Sequence, residues 1–285
     1  MIRSGIFMLF LYFFATQAGA ATLELSGPLD QGTAVLLRII GLSPGAKASG
    51  KLNASPFPIT PDGLAVIGMD MEAPPGAVTI EVTLANPDGR RETLRKEMTV
   101  AKRNYQEERI SLPEGKVTPP NKALEERIQR ETESIKAVYR LRDGQVGFQN
   151  GFRQPVTGRF SGVFGSRRIL NGKPKNPHNG VDIAAPKGTL VQATAAGLVA
   201  LAGANYVLTG NTLVLHHGHG VVSLYAHLDQ MLVAEGDWVT QGQTIGYVGT
   251  TGRSTGPHLH WGTLVRGQRV DPLRMPGVEN NAPIP

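Results

Sequence analysis

The chain contains no cysteine, which excludes disulfides, thiolate metal sites, a cysteine nucleophile and a lipid anchor on cysteine. Any chemistry therefore rests on His, Asp, Glu, Ser or Lys. There is also no run of five or more basic residues. The 29 Lys and Arg against 23 Asp and Glu leave a formal charge of +6 that is spread diffusely; it reads as a solvated basic surface and predicts no nucleic-acid partner. After the first twenty residues no segment reaches the roughly 18 consecutive apolar residues needed to cross a bilayer. With 18% charged and 40% hydrophobic residues, the composition is that of a folded globular protein rather than a disordered or fibrous one.

What is present is strongly partitioned. Arg3, the apolar stretch "GIFMLFLYFFAT" and the small-x-small "AGA" at 18–20 read as a secretory signal peptide over residues 1–20. It predicts export, with no stable membrane insertion once it is removed. Residues 22–102 alternate short β-runs ("TAVLLRII", "GLAVIGMD", "GAVTIEVTLA") with turn sequences ("GLSPG", "TPDG", "APPG", "NPDG"), the pattern of a small β-sandwich. They contain no histidine and predict a structural or positioning module. Residues 103–155 read as a charged linker whose segment "KALEERIQRETESIKAVYRLR" predicts an amphipathic helix over about 121–142. Asn121 is its N-cap, and Leu124, Ile128, Ile135, Val138 and Tyr139 lie near one face.

From about residue 156 the chain becomes glycine-rich: 21 of the 35 glycines lie at 151 or later, and all seven histidines fall between His178 and His260. Runs such as "NTLVLHHGHGVVSLYAHL" and "DWVTQGQTIGYVG" predict hairpins of a second antiparallel β domain. In "NPHNGVDIAAP", His178 and Asp182 are four residues apart, which a straight strand would stretch to about 13 Å; the chain must bend, and Gly180 is the residue expected to permit it. In "TGPHLHWG", His258 and His260 share a face as alternate residues of a strand. In "SLYAHLD", His227 ends an apolar strand with Tyr225 expected on the same face. His216, His217 and His219 crowd a "HHGHG" tip expected to face solvent and to be structural. Each element alone is weak, and a surface turn or strand-end histidine explains any one of them.

As a set, and in this order, they resemble the lysostaphin-type or LytM-like family of zinc endopeptidases that cut peptidoglycan peptides. "FGSRR", "APKGTLVQATAAGLV", "GDWVTQGQTIGYVGTTG" and "VDP" add to the match, which covers about residues 156–275. The motif departs at Trp261-Gly262, where Phe-Glu is the more usual pair. The patterning predicts a mainly β fold with an N-terminal small β-sandwich and a helical linker, and the resemblance implies a C-terminal glycine-rich antiparallel β catalytic domain with a groove. It implies Zn2+ on His178, Asp182 and His260, and His227 and His258 as catalytic histidines, their division of roles open. Tyr225 either positions an oxyanion or packs. The expected partner is peptidoglycan, the expected location the periplasm with the cell wall as the alternative, and residues 22–155 are expected to occlude the site. The rival reading is a non-catalytic LytM-like protein that binds the wall or activates another hydrolase.

Overall fold

The computed structural model describes residues 20–110, 121–170, 172–174 and 176–278. The expected signal peptide, apart from Ala20, and the tail beyond 278 lie outside the described residues. The first seven strands are β1 (Thr22–Leu25), β2 (Ala34–Ile40), β3 (Lys47–Leu52), β4 (Ser55–Phe57), β5 (Leu64–Gly68), β6 (Gly76–Ala85) and β7 (Arg91–Val100). They form two antiparallel sheets, β1-β2-β5 and β4-β3-β6-β7. Alternate residues of β6, from Val78 to Leu84, are buried and meet Leu37, Ile39 and Ile67 of the other sheet in one core. This is the small sandwich that the turn spacing predicts.

The connecting region holds β8 (Glu107–Ile110) and helix α1 (Lys122–Tyr139). Asn121 caps α1, its Oδ1 accepting the Leu124 N–H at 2.9 Å, which satisfies one of the free donors of the first turn. Of the apolar face read from the sequence, Ile135 and Val138 are buried against Val214, Val222 and Leu224 of the large sheet, whereas Leu124 and Ile128 stay partly exposed. Burying two such side chains contributes about 3–5 kcal/mol, enough to dock the helix.

The remaining strands are β9 (Arg159–Gly162), β10 (Arg167–Leu170), β11 (Lys173–Pro174), β12 (Gly180–Ala184), β13 (Leu190–Gln192), β14 (Gly197–Tyr206), β15 (Gly210–His216), β16 (Val221–Met231), β17 (Trp238–Val239), β18 (Thr244–Val248), β19 (His258–Val265) and β20 (Gln268–Val270). β8 pairs in parallel with β10, which also pairs β11. Ten of the strands form one sheet with the central path β17-β14-β15-β16-β19-β12-β9. Its inner face packs Tyr225, Trp261, Ile183 and Leu228 into the main core. The sandwich is fixed to this sheet. Arg269 grips Asp70 with two hydrogen bonds of 2.6 and 3.0 Å, and Arg103 Nη1 pairs with Asp271 at 2.8 Å. A Cβ at Gly68 would lie 2.6 Å from that of Val265. Among the described residues no helix is long and apolar enough to cross a membrane.

Candidate metal centre

Strand register brings the ligands together. β12 and β19 run antiparallel with Asp182 directly opposite His260, and Ala184 opposite His258. Directly opposed residues project from the same face, so Asp182, His258 and His260 share it. His178 reaches them from the loop before β12. That loop is pinned by two backbone bonds, His178 N–H to Ser166 O at 3.0 Å and Gly165 N–H to His178 O at 2.8 Å.

His178 Nε2, Asp182 Oδ1 and His260 Nδ1 converge. The separations are 3.2 Å for His178–Asp182, 2.8 Å for His260–Asp182 and 3.0 Å between the two rings. These three residues form the metal-competent group among the described residues. Donors about 2.0–2.1 Å from a tetrahedral ion sit roughly 3.3 Å apart, so an opening of a few tenths of an ångström admits one. The nitrogen and oxygen donor set fits zinc, and three protein ligands leave a fourth position for a reacting molecule. His178 Nδ1 donates to Val163 O at 3.0 Å, which leaves Nε2 with a bare lone pair for the ion. Burial by itself would raise the Asp182 carboxyl; the His178 and His260 rings beside it outweigh that and hold the group well below the usual carboxylate range. The ligand oxygen is thus ionised at any working pH.

Gly180 has a role other than the expected one. Its φ is not in the left-handed region, so no special bend requires glycine. What excludes a side chain is space, because a Cβ there would run into Trp261 O and sit 2.9 and 3.0 Å from His260 Cε1 and Nε2. Gly162 on β9 does the same for the other ligand: a Cβ would collide with the Asp182 carboxylate.

His258 and His227 stand beside the ligands, their ring centroids 4.7 Å apart. His258 Nε2 is 3.9 Å from Asp182 Oδ1, and His227 lies 6.2 Å from the His260 ring. The placement of His227 corrects the sequence reading. Strict alternation would send it inward with Tyr225, away from His258 and His260. Between Tyr225 and Leu228, however, β16 carries one residue more than its partner stretch from Leu213 to Asn211 on β15. His227 takes a φ of 62° at this bulge, and the extra residue turns its ring outward. Both rings are then fixed through Nδ1, that of His258 to Gly256 O and that of His227 to Thr251 O, each at 2.8 Å. Carbonyls only accept, so in each ring Nδ1 is the donor and Nε2 is the nitrogen that faces away from the backbone. Burial pushes His227 down to about 4, the Thr251 carbonyl only partly opposing it; at neutral pH the ring is an uncharged acceptor.

Tyr225 belongs to the core. Its OH accepts the Thr194 N–H at 2.9 Å and lies 3.0 Å from Ser223 Oγ, so of the two roles open in the sequence the packing one holds. The "HHGHG" segment is also different from expectation. It is structural, but His216 and His217 are buried rather than facing solvent. His217 Nδ1 donates to Ala196 O and Nε2 contacts Ser223 Oγ, both at 2.7 Å.

Burial pushes the His217 ring down to about 4, and this sets a pH dependence. Above an unfolded value near 6.5 both states hold the ring neutral. As pH falls below it, the unfolded chain binds a proton that the native ring refuses, so stability falls until about pH 4, where the native ring also protonates. The loss amounts to about 3 kcal/mol at 1.4 kcal/mol per pH unit. Urea unfolding at pH 7 and pH 4.5 should show it, and His217→Gln should lose less over the same interval; equal losses in both chains would rule the assignment out.

The fold and site together describe a mainly β protein with a candidate three-residue metal centre flanked by two histidines. Residues 176–272 match the sequence profile of Peptidase family M23. The peptidoglycan DD-endopeptidase ShyA of Vibrio cholerae is 40% identical over 147 residues, which are 48% of this chain and 34% of that protein. The murein hydrolase activator NlpD of Escherichia coli is 37% identical over 123 residues, 43% of this chain and 30% of that one. The chain thus spans about a third of the length of these curated relatives. A crystal structure of a Pseudomonas aeruginosa protein assigned to peptidase M23 superposes with a TM-score of 0.63 at 26% identity, covering 87% of this chain and 95% of that one.

Proposed function

We propose that the protein is an exported, zinc-dependent endopeptidase that hydrolyses peptide bonds of peptidoglycan cross-links in the periplasm. The observation that carries this reading is the convergence of His178, Asp182 and His260 beside two histidines whose Nε2 atoms are both left as acceptors. When bound to the three ligands, zinc supplies Lewis acidity for the scissile carbonyl and an acidified water as nucleophile. His258, the nearer of the two to the ligand carboxylate, takes the proton released as the peptide bond is attacked. His258 then hands that proton to the leaving amine, while His227, neutral at working pH with Nε2 unprotonated, accepts a hydrogen bond from the attacking water.

A hydrolase activator needs no intact metal site, so the filled ligand and base positions favour catalysis. The test is digestion of purified peptidoglycan by the zinc-loaded mature chain with product masses read out; masses shifted by cleavage within stem peptides or bridges are expected. An unaltered digest, together with stimulation of a separate hydrolase, would instead support the activator reading. Occlusion enters this proposal in a narrower form, through residues 22–110, since β8 joins β10 just ahead of the His178 loop. A chain without those residues, keeping α1, is expected to digest faster, and an equal rate removes the cover from the reading.

A further inference from the structure

We propose that α1, which lies outside the M23 match, acts on the reaction by holding the His227 bulge in place, with Glu131 as the positioning residue. This rests on the peptidase reading above. Arg127, Glu131 and Ser134 are spaced at i, i+4 and i+7 and so lie along one face of the helix. Each binds one of three consecutive residues at the turn between β14 and β15. Arg127 Nη2 donates to Asn205 O at 2.6 Å, Ser134 Oγ lies 2.9 Å from Tyr206 OH, and the Val207 N–H donates to Glu131 Oε2 at 2.7 Å. The other Glu131 oxygen is held by Arg127 Nε at 2.7 Å. Its side chain is only 14% exposed, so both oxygens need these partners.

The opposite side of the same turn holds the catalytic loops. Thr209 O accepts the His227 N–H at 2.8 Å, and Leu208 O accepts the Arg253 N–H at 3.0 Å. The Asn211 N–H donates to Thr251 Oγ1 at 2.9 Å, and the Thr251 carbonyl is the acceptor that orients the His227 ring. Packing leaves no slack between them, since a Cβ at Gly210 or at Gly252 would run into the other loop. Glu131 therefore connects through Val207 to both bonds that set His227, its backbone at the bulge and its ring through Thr251. A displacement of the turn moves a base relative to the scissile bond, and an error of about 1 Å there can cost a hundredfold in rate.

The experiment compares Glu131→Ala and Glu131→Gln in the full mature chain, by amide hydrogen exchange and by steady-state kinetics with zinc content. For Glu131→Ala, exchange at Val207, His227 and Arg253 should rise about tenfold or more. Its kcat should fall about ten- to a hundredfold with little change in KM or zinc content. Glu131→Gln, whose amide oxygen still accepts from Val207, should recover most of both. Faster exchange confined to Val207, or an unchanged kcat with a lowered Tm, would overturn the proposal. A wild-type chain that cleaves nothing would overturn the peptidase reading alone, because the exchange comparison requires no turnover and still tests the coupling of α1 to His227.

Discussion

Replacing His260 by alanine should remove bound zinc and peptidoglycan cleavage together, whereas His258→Ala should keep the zinc and lose only rate. The two residues are neighbours on one strand face, yet the structure separates their surroundings. His260 Nδ1 lies within 2.8 Å of the Asp182 carboxylate and 3.0 Å of His178 Nε2; without it the ion keeps two protein donors and no longer a catalytic set. The rate should fall by more than about a thousandfold, to the level of chelated enzyme. His258 is outside the donor triangle, and loss of a general base costs about a hundred- to ten-thousandfold. Metal analysis after dialysis, alongside initial rates of wall digestion, distinguishes the two. Zinc retained by His260→Ala, or wild-type activity in both variants, would remove the assignment.

Gly180→Ala is the second large effect expected. A single methyl group meets the Trp261 carbonyl and the edge of the His260 ring, neither of which can yield easily. Trp261 is fully buried, and its strand is the direct partner of β12. The strands must part or the imidazole must turn. Stability should drop by about 2–3 kcal/mol, the usual cost of overpacking a tight core, and zinc affinity by about ten- to a hundredfold, as when ligand orientation is lost. Urea midpoints and competition with a zinc chelator measure the two effects. Unchanged values for both would show that the strand pair is looser than its register indicates.

The sequence was legible where local rules act alone. Asn121 announces the start of α1, turn residues separate the sandwich strands, and the family resemblance carried by the histidine motifs points to His178, Asp182 and His260, which the fold brings together. What stayed hidden depends on contacts distant in the chain. Alternation cannot foresee the extra residue in β16 and places His227 on the face of Tyr225. The acceptors that orient the rings are backbone carbonyls of Val163, Thr251 and Gly256, which leave no compositional trace. Burial of His216 and His217 comes from the layers packed over a hairpin that by itself reads as exposed. Gly162 and Glu131 carry no motif, since one matters through missing volume and the other through a helix docked on a remote turn.

The three backbone carbonyls have a consequence for how the site can change over generations or in the laboratory. A main-chain oxygen is present whichever amino acid occupies the position, so substitution at 163, 251 or 256 cannot delete the acceptor that orients its imidazole. The proton pattern of the centre is inherited with the path of the backbone rather than with particular side chains. The side chains at these three positions can then change without removing the acceptors, for as long as the backbone keeps its trace.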